Sequence, residues 1–411
     1  MTNLVISHPT KIVNGKINLP ASKSISNRLL LMRAVAGFTD VEIHNLSNAR
    51  DTVILNNILS NLKTTKGVDA HDAGTVMRFL TAYLSCREGE WILTGSERMQ
   101  QRPIGILVGV LKTLGADIEY MKNKNYPPLK IKGKKLKGGK IEIDGSVSSQ
   151  FLSALLMISP LYEDPLELCI KNDLVSVPYV EMTLRLMQQW GGSYTWNENS
   201  IRVENNSYKK PVETLFVESD WSAASYFYSI LSLAKDGKIT LPHLYKNSIQ
   251  GDSVCAEVFE ELGVSTYYNE NGIVLKKNNS ATKNFEYNFL NCPDLAQTFA
   301  VCCAAKGIWA NLTGLQTLAI KETDRISAIK TQLEKFGVSV SVTKDKIQSH
   351  SNNSLNTQYT LLNTFDDHRM AMSFAPFALC CDKIAIENSS VVEKSFPHFW
   401  EELKQIGFTI T

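Results

Sequence analysis

Five stretches carry one signature: LKTLGADIEY at 111–120, LMQQWGGSYTW at 186–196, FEELGVSTYY at 259–268, LEKFGVSVSV at 333–342 and EELKQIGFTI at 401–410. In each, an amphipathic run meets a glycine and alternating residues follow. Gly115, Gly191, Gly263, Gly337 and Gly407 are spaced by 76, 72, 74 and 70 residues. A weaker copy, ILSNLKTTKGV, lies at 58–68. The physical reading is a helix that ends, a glycine in the left-handed conformation that L side chains resist, and a strand. One helix-Gly-strand passage is commonplace in α/β chains, but five at a nearly constant period indicate a repeat. Each unit of roughly 70 residues has room for two helices and three or four short strands, an α/β architecture with helices throughout.

The chain has 411 residues, enough for two or three domains. Hydrophobic residues are 44% and charged residues 20%, ordinary for a globular chain. With 43 Lys and Arg against 41 Asp and Glu, the net charge of +2 argues against a dedicated nucleic-acid binder. The Lys-rich segment at 121–140 contains one aromatic, Tyr126, and Pro127-Pro128 with the LKIKG alternation reads as a hairpin with lysines on the wet face, covering a sheet edge. No apolar run has the length of a membrane span, and the start has no signal-peptide pattern. The expectation is a cytoplasmic protein. Eight cysteines include no CxxC and two adjacent pairs in apolar runs, which reads as free buried thiols. Seven scattered His lack metal-ligand spacing, so no metal is expected.

The informative polar residues open apolar helices. Ser22 to Arg28 precedes LLLMRAVAG, Asp72 to Thr75 precedes VMRFLTAYLS, and Ser146 to Gln150 precedes FLSALLMI. Free backbone N–H groups and the helix dipole favour anions there. A plain N-cap needs one Ser, Thr or Asp, whereas these starts add Lys, Arg or Gln. In the second half acids join the cations. Asp220 and Asp294 each open a helix, as do Lys321-Glu322-Thr323-Asp324-Arg325 and Asp366-Asp367-His368-Arg369. Interleaved charges suit a site that holds anions and moves protons, although an exposed salt-bridge face is the plainer alternative for KETDR. P-loop, dinucleotide and GxSxG motifs are all absent from the sequence.

LPASKSISNR, DAGTVMRFL, ERMQQRPI, DGSVSSQFLSALL, KETDR, DDHRMAM and EKSFPHFW, in that order from about Leu19 to Trp400, resemble the 5-enolpyruvylshikimate-3-phosphate synthases of the enolpyruvyl transferase family. The resemblance implies an α/β fold of six βαβαββ units, three per domain, with the active site in the interdomain cleft. It places one domain at 1–19 with 219–411 and the other at 20–218. It implies transfer of the enolpyruvyl group of phosphoenolpyruvate to the 5-hydroxyl of shikimate 3-phosphate. No cofactor and no metal are implied, the chain acts as a monomer, and glyphosate is an expected inhibitor.

Carried over by motif, Lys23, Ser24, Arg28, Ser148, Ser149, Gln150, Ser176, Asp294, Thr317 and Lys321 would bind shikimate 3-phosphate. Lys23, Gly74, Arg98, Gln150, Arg325, Arg369 and Lys394 would bind phosphoenolpyruvate. Asp294 resembles the base that takes the 5-hydroxyl proton, Glu322 the donor to the methylene, and Lys23 a third catalytic group. Tyr179 and His368 are neighbours. Phe79 and Asp72 depart from frequent family residues beside the phosphoenolpyruvate pocket. Thr317 stands where many relatives carry Asn. The rivals are the sister transferase acting on UDP-N-acetylglucosamine, whose loop cysteine has no counterpart in Gly95–Pro103, and a non-catalytic anion-binding scaffold, which would not need Asp294 and Glu322.

Overall fold

The computed structural model describes residues 3–62, 66–146, 148–280, 282–351 and 355–411. The expected features at 63–65, inside the sixth repeat copy, and at 147 lie outside the described residues. The chain divides into two compact units, one of Met1–Ala21 with Glu218–Thr411 and one of Ser22–Val217.

The five glycines of the signature all have positive φ, from 76° to 101°. The residue before each, Leu114, Trp190, Leu262, Phe336 and Ile406, is buried. The signature is therefore a core side chain that ends a helix and a glycine that turns the chain into a strand. Gly67 of the weak copy differs: it begins the strand Gly67–Asp69 without a left-handed turn.

Five four-stranded sheets share one topology, a parallel pair followed by two antiparallel neighbours. In the unit of 22–217 these are Gly67–Asp69, Gly89–Thr94, Leu129–Gly133 and Asp117–Tyr120, and then Gly139–Asp144, Leu166–Lys171, Ser200–Val203 and Tyr194–Asn197. Among the described residues its third sheet is the parallel pair Ile43–His44 and Leu215–Phe216, with no hairpin beside it. The other unit holds three full sheets. One borrows Leu4–Ser7 from the N-terminus to pair with Ile384–Ile386 and Thr409–Ile410. Another pairs Ile12–Lys16 with Asp236–Pro242, across the whole inserted unit.

Each copy contributes two helices, and the first is the buried one. Lys23–Ala36, Gly74–Cys86 and Ser149–Met157 pack on one another in one unit. Trp221–Leu233, Ala296–Ala305 and His368–Phe374 do so in the other. AQTFAVCCAA of Ala296–Ala305 is buried at every position, as a helix apolar all round must be. Three helices form each core, and the sheets present their other faces to water. Strand Leu129–Gly133 alternates buried Leu129, Ile131 and Gly133 with exposed Lys130 and Lys132, which lie opposite Glu119, Asp117 and Glu90. The lysine-rich segment is a solvated face. All eight cysteines are free, with Cys86, Cys169 and Cys380 only half-buried.

Candidate active site

The packing that buries three helices in each unit also gathers their N-terminal turns. In the unit of 22–217, Gln150 Nε2 donates to Thr75 Oγ1 at 3.1 Å, joining two of those turns. Ser22 caps the third, accepting from Ile25 N. Arg28, 2% exposed, donates Nε to Thr183 Oγ1 at 2.7 Å, Nη2 to Ser153 Oγ and the Tyr179 carbonyl, and Nη1 to the Ser24 carbonyl. Every acceptor is neutral, and burial lowers its pKa to about 10. A buried guanidinium without a carboxylate is an open invitation to an anion. Phe79 lies beneath Arg28, its ring centroid 5.6 Å from the guanidinium carbon, so it supports this cation. Lys23 Nζ meets the buried Asp51 at 3.0 Å. Ser148 caps its helix through Gln150 N, Ser149 is buried, and Ser176 holds φ 56°, a strained value for a non-glycine residue.

Gly74 shows most directly what its surroundings are for. A Cβ there would lie 2.6 Å from Nη1 of both Arg102 and Arg78. Arg78 also donates to the Gly74 carbonyl at 2.8 Å. The two guanidiniums therefore converge over a helix start that only glycine leaves open. Arg98, the expected partner of Gly74, is exposed and reaches Gln101 at 3.5 Å, and is not among the nearest atoms to Gly74. Arg102, one turn on in the same ERMQQRPI motif, is the arginine of that motif that reaches Gly74. Asp72 pairs with Arg50 at 2.6 Å.

The unit of 1–21 and 218–411 carries the acids. Arg325, 1% exposed, is their hub. Its Nε and Nη2 engage Asp367 at 2.7 and 3.4 Å, Nη2 also reaches Glu322 at 2.9 Å, and Nη1 reaches Asp294 at 3.2 Å. Burial opposes its charge, but Asp367, Glu322 and Asp294 together outweigh that and push its pKa above the usual value. Arg369 donates to Asp294 Oδ2 at 3.0 Å and to Tyr226 OH at 3.3 Å. Lys321 stands 3.7 Å from Asp294, and Lys394 stands 3.2 Å from Glu322. Of KETDR, Arg325 is buried, Lys321 and Glu322 are half-buried and reach across to Asp294 and Lys394, and Asp324 is exposed, so the motif is a partly buried network rather than a plain surface salt-bridge face. Burial alone would raise the Asp294 pKa, but Arg369, Lys321 and Arg325 hold it far below the carboxylate range. Burial lowers that of Lys321.

The caps divide the labour. Asp324 accepts from Ile326 N and Ser327 N, and Asp367 accepts from Arg369 N while clamping Arg325. In the sequence, only adjacency to His368 and Arg369 marks Asp367. Buried His368 lies 3.6 Å from Asp367. Thr317 Oγ1 is buried and has no protein partner among the described residues, one turn before Lys321.

Repeated βαβαββ units with cations and acids at their helix starts match the fold expected of an enolpyruvyl transferase. The family model for EPSP synthase (3-phosphoshikimate 1-carboxyvinyltransferase) matches residues 7–72 and 64–403, and the chain belongs to that family of transferases. The 3-phosphoshikimate 1-carboxyvinyltransferase of Bacteroides fragilis is 46% identical over 99% of this chain and 98% of its own length. That of Photobacterium profundum is 36% identical over 97% and 98%. Among solved structures, EPSP synthase from Acinetobacter baumannii shares the fold at a TM-score of 0.79 with 20% identity, each chain covered in full. The enolpyruvyl transferase NikO from Streptomyces tendae does so at 0.75 with 14% identity, covering 100% of this chain and 98% of its own. No helix among the described residues is long and apolar enough to cross a membrane.

Proposed function

We propose that this chain moves the enolpyruvyl group of phosphoenolpyruvate to the 5-hydroxyl of shikimate 3-phosphate, with release of phosphate, and that its residues divide the work as follows. Arg28, with Lys23, Ser24, Ser148, Ser149, Ser176 and Lys321, takes the phosphate end of shikimate 3-phosphate. Thr317 offers its unpartnered hydroxyl to the same substrate. Gln150 lies against both substrates. Lys23, Arg325, Arg369 and Lys394 hold phosphoenolpyruvate, and Arg78 and Arg102 flank Gly74 in the role expected of Arg98. Arginine suits this because its planar fork binds carboxylate and phosphate bidentately.

One observation carries the chemistry: a single guanidinium, Arg325, spans Asp294 at 3.2 Å and Glu322 at 2.9 Å. Base and acid are thereby fixed side by side. Arg369, Lys321 and Arg325 hold Asp294 as a carboxylate before substrate arrives. Anionic substrates compete for those cations, so the proton affinity of each carboxylate rises when the reaction needs it. Glu322, protonated from solvent as the substrates bind, then protonates the methylene of phosphoenolpyruvate, and the cationic centre at C2 is attacked by the 5-oxygen as Asp294 takes its proton. The tetrahedral adduct returns its methyl proton to Glu322 and expels phosphate, which carries away the proton held by Asp294, restoring the enol double bond and both carboxyl groups to their starting states. The cations offset the repulsion between two multiply charged substrates in low dielectric. A single chain supplies every residue named, and action as a monomer in the cytoplasm completes the reading. Phosphate release measured with each acceptor tests it: release is expected with shikimate 3-phosphate and not with UDP-N-acetylglucosamine. Comparable release with both would overturn it.

A further inference from the structure

The helix Trp221–Leu233 begins between two turns. On one side is Pro293–Leu295, which carries Asp294; on the other is Gly251–Val254, which carries Asp252. Asp252 is 3% exposed and has no place in the proposed reaction. Its Oδ2 accepts a hydrogen bond from the Ser222 hydroxyl in the first turn of that helix. Its Oδ1 is buried with no hydrogen-bond partner. A buried carboxylate oxygen with nothing to solvate it is costly, whereas a protonated one is not.

The groups facing Asp252 come from every element around it. Asp220 and Ser222 come from the capped helix, Cys292 and Asp294 from the neighbouring turn, Arg369 from the helix His368–Phe374, and Cys255 from its own side. Asp294 and Asp220 repel its charge, and Arg369 and Ser222 favour it. Burial, with the repulsion of Asp294, pushes its pKa up to about 7. Arg369, which pairs with Asp294, therefore also feels the second carboxyl.

We propose that Asp252 is a positioning residue for the transfer, a hidden second carboxyl whose charge sets how strongly Asp294 draws the acceptor's hydroxyl proton. Three cations leave Asp294 a weak base. A negative charge on Asp252 shares the field of Arg369 and repels a second negative charge at Asp294, so Asp294 binds a proton more readily. Protonated Asp252 removes that assistance. The inference rests on Asp294 as the base.

The test is the ratio of wild-type to Asp252→Asn kcat/KM across pH 6 to 9, in which the titration of the substrates' own phosphates cancels. Asn keeps the shape and the acceptor for Ser222, and it imitates the protonated acid at every pH. The ratio should lie near one at pH 6 and climb to at least about threefold at pH 8.5. Ser222→Ala removes a bond that favours the charged form, and should move the climb to higher pH. A ratio that is constant across the range, the mark of a merely structural carboxyl, overturns the proposal. Asp294→Asn separates the two readings. If that variant loses turnover while the ratio stays flat, Asp294 stands as the base and only the role of Asp252 falls. If it keeps turnover, both fall.

Discussion

Replacing Gly74 by alanine adds one methyl group, and its effect can be worked from the distances. The new Cβ would lie 2.6 Å from Nη1 of Arg78 and of Arg102, where ordinary contact begins at about 3.4 Å. Each guanidinium must retreat by about 0.8 Å. Both clashing atoms are ends of flexible side chains and Gly74 has no positive φ, so the backbone accepts alanine unchanged. Gly74 is the first residue of its helix, where the interior preference for alanine over glycine does not apply in full, so thermal stability should change little. The anion pocket should suffer instead. A charge-assisted hydrogen bond contributes about 1.5–3 kcal/mol, and losing the geometry of one predicts a KM for phosphoenolpyruvate raised roughly 10- to 100-fold. Glyphosate, longer than phosphoenolpyruvate, should lose more affinity than the substrate does. Steady-state kinetics with and without glyphosate, beside a melting curve, reads all three. An unchanged KM in a folded variant would refute the convergence of Arg78 and Arg102 on bound substrate. Equal losses for substrate and inhibitor would refute only the reading of glyphosate length.

Glu322→Gln and Asp294→Asn should each lower turnover by at least about 100-fold, with shikimate 3-phosphate affinity by calorimetry changing far less for Glu322→Gln. If Glu322→Gln stays within a few-fold of the parent, Lys23 or Lys394 becomes the better donor. Asp252→Asn should stabilise the fold most above neutral pH. A folded pKa of about 7 against about 4 unfolded means stability falls as pH rises from about 4 to 7, by up to about 4 kcal/mol, and the Asn variant escapes that loss. Denaturant unfolding at pH 5 and pH 8 measures it, and an equal difference at both would refute it. Gly115→Ala meets no atom within 4 Å at φ 101°, so its cost should be backbone strain alone, about 1–2 kcal/mol with kinetics intact.

The sequence by itself determined the repeat and the family. The reason is that its signals are local: a core residue, a glycine and a strand within about ten positions, and charged motifs confined to single helix turns. It could not expose the weak sixth copy as a sheet reduced to Ile43–His44 and Leu215–Phe216, because those strands meet from distant parts of the chain. Tertiary structure alone decided which charges face each other. Arg102 and Arg78 converge on Gly74, Arg28 is buried among neutral acceptors from three helices, and Arg325 gathers Asp294, Glu322 and Asp367 from three segments. Spacing along the chain separates Arg98 and Arg102 by one turn and gives both the same composition. Only the packing of buried helices, which brings their N-terminal turns together, distinguishes the exposed Arg98 from the half-buried Arg102 that closes on Gly74. The same packing surrounds Asp252 with Ser222, Asp294 and Arg369, an arrangement invisible to any motif because its members lie up to 147 positions apart.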